Sequence, residues 1–92
     1  MDSLLNLNGK NIIITGASSG IGKQCAIRTC ELGANVILIA RNKERLEQIC
    51  DQLTKGDHLW FSQDITEYEK LEKIVENSVE KIGKISGFVH SA

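Results

Sequence analysis

The sequence predicts an α/β domain, a doubly wound parallel sheet with helices on both faces, giving three α/β/α layers. Three observations carry that expectation. The apolar runs Asn11 to Thr15 and Asn35 to Ala40 lack the alternation of a half-exposed strand, as strands covered on both faces do. Segments with helical spacing of apolar residues lie between such runs. The order strand, helix, strand, helix, strand, helix, strand calls for parallel strands joined by right-handed crossovers. A spatial strand order 3-2-1-4 follows, with a glycine-rich turn at the carboxyl edge of the first strand.

Residues 1–8 are polar apart from Met1, Leu4, Leu5 and Leu7, and read as a leader packed loosely on the sheet, punctuated by Gly9-Lys10. Asn11 to Thr15 is the first strand. The first helix starts at about Ser19 or Gly20 and runs to Leu32, with Ile21, Cys25 and Leu32 near one face and Ala26 and Thr29 or Cys30 beside them. Gly33 is its C-terminal stop. Asn35 to Ala40 is the second strand, and Asn42 caps the next helix. Leu46, Ile49, Cys50 and Leu53 follow the i, i+3, i+4, i+7 pattern, and Gly56 ends the helix. Leu59, Trp60 and Phe61 form a short third strand. Thr66 with Glu69 makes a capping box, followed by the stripe Leu71, Ile74, Val75, Val79 and Ile82, which reads as core packing. Gly83 ends that helix, and residues 85–91 form the fourth strand.

The stretch that points to chemistry is Thr15-Gly16-Ala17-Ser18-Ser19-Gly20-Ile21-Gly22. A strand entering a glycine-rich turn and then a helix is a phosphate-binding arrangement. The helix N-terminus offers unpaired N–H groups and a partial positive charge, and glycine lets the backbone approach a pyrophosphate. The Walker loop is excluded. Five residues separate Gly16 from Gly22, and Gln24 stands after Lys23 where a hydroxyl would bind magnesium. Gly16, Gly20 and Gly22 give G-x-x-x-G-x-G, a spacing variant of the dinucleotide fingerprint G-x-G-x-x-G.

This loop resembles the cofactor loop of the short-chain dehydrogenase/reductase family, and later residues extend the resemblance over nearly the whole chain. Among its members the 3-oxoacyl-[acyl-carrier-protein] reductases look most similar. The resemblance implies a Rossmann-type fold and hydride transfer between a nicotinamide and a carbonyl or alcohol. It also implies a small-molecule carbonyl or acyl-thioester substrate and a homo-oligomer in the complete protein. The expected cofactor contacts are Gly16, Ser18, Ser19, Gly20, Ile21 and Gly22 in the loop, Arg41 and Asn42 after the second strand, and Asp64 and Ile65 after the third. Ser91 and Ala92 after the fourth strand complete the set.

Dinucleotide folds that bind NAD carry an acidic residue about twenty positions past the loop. Ala40 holds that place and Arg41 follows, so no carboxylate repels a 2′-phosphate and a guanidinium can grip it. NADP(H) is therefore the expected cofactor, ahead of NAD, with a solvated surface charge as the plainer role for Arg41. Asp64 is either a turn residue or, by the resemblance, an acceptor for the adenine amino group. Val89-His90-Ser91-Ala92 stands where the family shows Asn-Asn-Ala-Gly, so His90 and Ser91 depart from its asparagines. His90 has no carboxylate partner in the sequence and is not read as catalytic, and His58 reads as a strand-edge residue. The family's catalytic Tyr-x-x-x-Lys is not matched. The one tyrosine is Tyr68, and Glu72 stands four residues on. Residues 1–92 are accordingly read as the N-terminal part of a single nucleotide-binding domain, with the catalytic Ser, Tyr and Lys beyond Ala92. The rival reading is a nucleotide-binding sensor or scaffold without catalysis.

Composition sets the remaining bounds. Lys and Arg number 11 against 12 Asp and Glu, for a net charge of −1, which argues against nucleic acid or an anionic membrane as partner. No run reaches transmembrane length and no basic, apolar signal sequence opens the chain, so the cytosol is the expected compartment. The cysteines, Cys25, Cys30 and Cys50, show no metal or redox spacing and read as buried apolar fillers.

Overall fold

The computed structural model describes residues 7–17, 20–53, 56–63 and 68–90. The order is β1 (Asn11–Thr15), α1 (Gly20–Glu31), β2 (Asn35–Ala40), α2 (Lys43–Gln52), β3 (Leu59–Ser62), α3 (Tyr68–Ile82) and β4 (Gly87–His90). The strands form one sheet in the order β3-β2-β1-β4, and every pairing is parallel. The predicted architecture and strand order are those observed.

The unbroken apolar runs explain why β1 and β2 are central. All five residues of β1 are buried, as are the last five of β2. Alternation sends Ile12, Ile14, Val36, Leu38 and Ala40 to one face, where they pack with Ala26 of α1 and Leu46 and Ile49 of α2. Ile13, Ile37 and Ile39 go to the other face, against Ile74 of α3. Each fully buried aliphatic side chain contributes about 1.5–3 kcal/mol, so this two-sided burial holds the sheet.

Local choices differ from the sequence reading at several points. In α1 the buried positions are Gly22 and the flanking pair Ala26 and Cys30; Cys25 packs partly buried against the same core, whereas Ile21 is 71% exposed. Small residues bring α1 close to the sheet, so the inward stripe carries little hydrophobicity. Helix α2 ends at Gln52 with Leu53 as C-cap, ahead of the expected Gly56. In α3, Val79 is exposed and Ser78 is fully buried, its hydroxyl donating to Ile74 O at 2.8 Å. The line Ile74, Ser78, Ile82 faces the sheet at i, i+4 spacing, which turns Val79 outward. Thr66 of the expected capping box lies outside the described residues. Strand β3 runs one residue further, to Ser62, and β4 begins at Gly87 rather than at position 85.

Gly33 and Gly83 do stop α1 and α3, both with positive φ (103° and 97°) that a side chain would disfavour. Asn11 ties the amino end of the sheet together. Its Nδ2 donates to Ile82 O and Lys84 O, both at 2.9 Å, and its Oδ1 accepts from Asn35 Nδ2 at 3.0 Å. Of the leader, Leu7 and Asn8 are described, and the Leu7 N–H donates to Leu32 O at 2.8 Å. Among the described residues no helix is long and apolar enough to cross a membrane.

Candidate functional site

The loop after β1 is built by three glycines with three different surroundings. Gly16 turns the chain with φ 69°. Its N–H and that of Ala17 both reach Ile39 O, at 2.9 and 3.4 Å, so the turn is sewn to the neighbouring strand. At Gly22 a Cβ would run into Gly16 O and come within 2.8 Å of Ala17 Cα, so helix and turn meet backbone to backbone. At Gly20 a Cβ would meet nothing within 4 Å. Among the described residues nothing fills the space beside Gly20, as a site for a pyrophosphate requires. No acidic residue lies in the first turn of α1, so its positive end is not offset there. Ser18 and Ser19 lie outside the described residues. Gly20 and Ile21 border a cleft of about 460 Å³ that runs along α1 past Cys25 and Arg28 to Val89 of β4.

The second part of the site is the end of β2. Ala40 is buried and faces the core shared with α1 and α2, whereas Arg41 and Asn42 are exposed. The count of about twenty residues therefore selects an inward position, and the exposed position is the next one, Arg41. Asn42 is the N-cap expected of it, its Oδ1 accepting from Arg45 N–H at 3.1 Å. Two bonds from the end of β3 hold this turn. Gln63 N–H donates to Ala40 O at 2.8 Å, and Ser62 Oγ donates to Arg41 O at 2.9 Å. Asp64 and Ile65 lie outside the described residues.

The third part is the junction of β1 and β4, where strand order reverses and doubly wound sheets open a crevice. Thr15 pairs with His90 across it. Thr15 is fully buried, and its Oγ1 lies 2.8 Å from His90 Nδ1 and 3.5 Å from Val89 O. The imidazole is thus tethered beside the loop by a hydroxyl. A buried threonine closing an apolar strand must find a partner, and that was the one sequence signal for this contact. Ser91 and Ala92 lie outside the described residues.

The remaining candidates sit elsewhere. His58 is more than a strand-edge residue. Its Nδ1 accepts from Val36 N–H at 3.1 Å, which leaves the ring proton on Nε2, 3.2 Å from Cys30 Sγ. This pair lies at the amino end of the sheet, opposite the loop. Burial pushes the Cys50 thiol up, helped by Asp51 and then Cys30, which disfavours the reactive thiolate. Tyr68 opens α3.

Comparison with known proteins agrees with this geometry. The family model described as short chain dehydrogenase matches residues 10–92. An uncharacterized oxidoreductase of Listeria monocytogenes is 39% identical over 90 residues, covering 96% of this chain and 36% of the relative. An 11-beta-hydroxysteroid dehydrogenase-like protein of Arabidopsis thaliana is 36% identical over 90 residues, covering 95% of this chain and 29% of that protein. The crystal structure of an Escherichia coli hydroxysteroid dehydrogenase superposes with a TM-score of 0.89 at 32% identity, over 98% of this chain and 39% of that one. A citronellol catabolism dehydrogenase of Pseudomonas aeruginosa gives 0.83 at 34% identity, over 89% and 35%. The chain spans about a third of the length of the curated relatives it matches.

Proposed function

Because the chain belongs to the short-chain dehydrogenase family, we propose that it is the cofactor-binding end of an NADP(H)-dependent oxidoreductase acting on a carbonyl or alcohol. The observation that carries this reading is the loop, where Gly16 turns, Gly22 lets helix and turn touch, and Gly20 leaves open space at the positive end of α1. The nicotinamide, when bound, supplies or accepts the hydride. The residues of this chain bind and orient. The loop and the first turn of α1 take the pyrophosphate, with Ser18, Ser19 and Ile21 contributing to that cradle. Arg41 grips a 2′-phosphate and Asn42 shapes the turn that presents it. Asp64 and Ile65 line the adenine, and Ser91 and Ala92 add backbone contacts to the cofactor. Proton delivery falls to a Ser and a Tyr-x-x-x-Lys beyond Ala92, in the remainder of the same domain. A 3-oxoacyl thioester is the substrate class the loop suggests, in a homo-oligomeric cytosolic enzyme.

The test uses the full-length protein. NADPH and NADH are titrated by nicotinamide fluorescence, and NADPH oxidation is followed with 3-oxoacyl thioesters, ketosteroids and terpenoid ketones. Tight NADPH binding with turnover of one class is expected. Binding without turnover of any of them would favour a sensor, and absence of dinucleotide binding would overturn the reading.

A further inference from the structure

We infer that Ser62, at the end of β3, is a positioning residue for Arg41 and thereby contributes to the choice of a 2′-phosphorylated cofactor; this rests on the reading of Arg41 given above. Ser62 is paired with Ala40 in the parallel ladder. Its hydroxyl crosses to the next residue and donates to Arg41 O at 2.9 Å, over a sequence separation of 21. Gln63 N–H holds the preceding carbonyl, that of Ala40, at 2.8 Å. On the other side of the turn Asn42 caps α2 through Arg45 N–H. The carbonyls of residues 40 and 41 are thus fixed by β3, and residue 42 by the helix.

Arg41 itself is exposed. An exposed arginine binds a phosphate more tightly when its backbone is already ordered, because less conformational freedom is lost on binding. The Ser62 bond is also exposed, and the strands it joins are held by their own ladder. Its loss therefore costs the fold little and acts on the one residue it restrains. A hydroxyl at position 62 is required, and a threonine, well suited to a strand, supplies it.

The full-length protein is titrated with adenosine 2′,5′-bisphosphate and with 5′-AMP, which differ in the 2′-phosphate, by calorimetry or by displacement of bound NADPH. Ser62→Ala is expected to weaken the bisphosphate about 2- to 10-fold, the range of one net hydrogen bond, and to leave AMP unchanged. Ser62→Thr is expected to restore wild-type affinity. In an Arg41→Ala background Ser62→Ala should add nothing. If Arg41→Ala loses bisphosphate affinity and Ser62→Ala does not, the inference fails while the reading of Arg41 stands. Equal weakening of both ligands by Ser62→Ala also overturns it, since the serine would then be a general support of the site. If Arg41→Ala changes nothing, the reading of Arg41 falls and the inference with it.

Discussion

Gly20 and Gly22 are two residues apart and should fail in different ways. Any side chain at Gly22 enters the space of Gly16 O and Ala17 Cα. Overpacking of this kind costs about 1–3 kcal/mol, so Gly22→Ala should lower the thermal midpoint of the full-length protein, measured by differential scanning fluorimetry. At Gly20 the space is open, so Gly20→Val should melt near wild type and lose NADPH binding. A Gly20→Val protein that titrates normally would remove the loop from the site. On the function proposed above, cofactor choice rests on one residue, Arg41. Ala40 is buried, and a carboxylate there would be desolvated in the core. The substitution that should convert the preference is therefore Arg41→Asp. A charge-assisted contact contributes about 1.5–3 kcal/mol, so the NADPH-to-NADH affinity ratio should fall by about ten- to a hundredfold. Equal affinities in the unmodified protein would defeat the argument. The turn at Gly16 and the close approach at Gly22 were legible because they depend on local spacing. The Ser62 to Arg41 and Thr15 to His90 contacts were not, because each depends on the register between strands far apart in sequence.

At the scale of elements, strands read more truly than helix faces. β1 and β2 are apolar throughout, so their burial needed no knowledge of their neighbours. Helix α1 misled because its inward line is Gly22, Ala26 and Cys30, residues chosen for close approach rather than for hydrophobicity. The buried Ser78 of α3 misled for a related reason, since its hydroxyl is satisfied within its own helix and it packs as a small residue. Helix α2 supplies a pH prediction. The Cys50 thiol is pushed up from 9.0, first by burial, then by Asp51 and Cys30. The unfolded chain therefore releases this proton at a lower pH than the folded one. The stability linked to it is complete below about pH 9 and declines as pH rises toward the folded value. Urea midpoints taken from pH 8 upward should fall more steeply for the wild type than for Cys50→Ala. Parallel curves would show that the thiol does not couple to folding.

For the molecule as a whole, strand order was legible because alternating strands and helices with right-handed crossovers leave few arrangements. What lies beside β4 was not, and the expected behaviour of residues 1–92 alone follows from that. Among the described residues β4 is an edge of the sheet, and Phe88 on it is 51% exposed. An edge with unpaired backbone groups and an exposed aromatic side chain associates with other chains. These residues hold no Tyr-x-x-x-Lys, because Tyr68 is followed by Glu72, so no such pair is present to deliver the proton that accompanies hydride. Residues 1–92 expressed alone should self-associate, bind NADPH weakly and leave ketones unreduced. The complete reading frame should bind and turn over. The comparison requires size-exclusion chromatography, NADPH fluorescence and an NADPH-oxidation assay on both proteins at equal concentration. Ketone reduction by the short protein would move the proton donor inside these residues and put Tyr68 and His90 back under consideration. A short protein that stays monomeric would show that the β4 edge is protected by something other than a neighbouring strand.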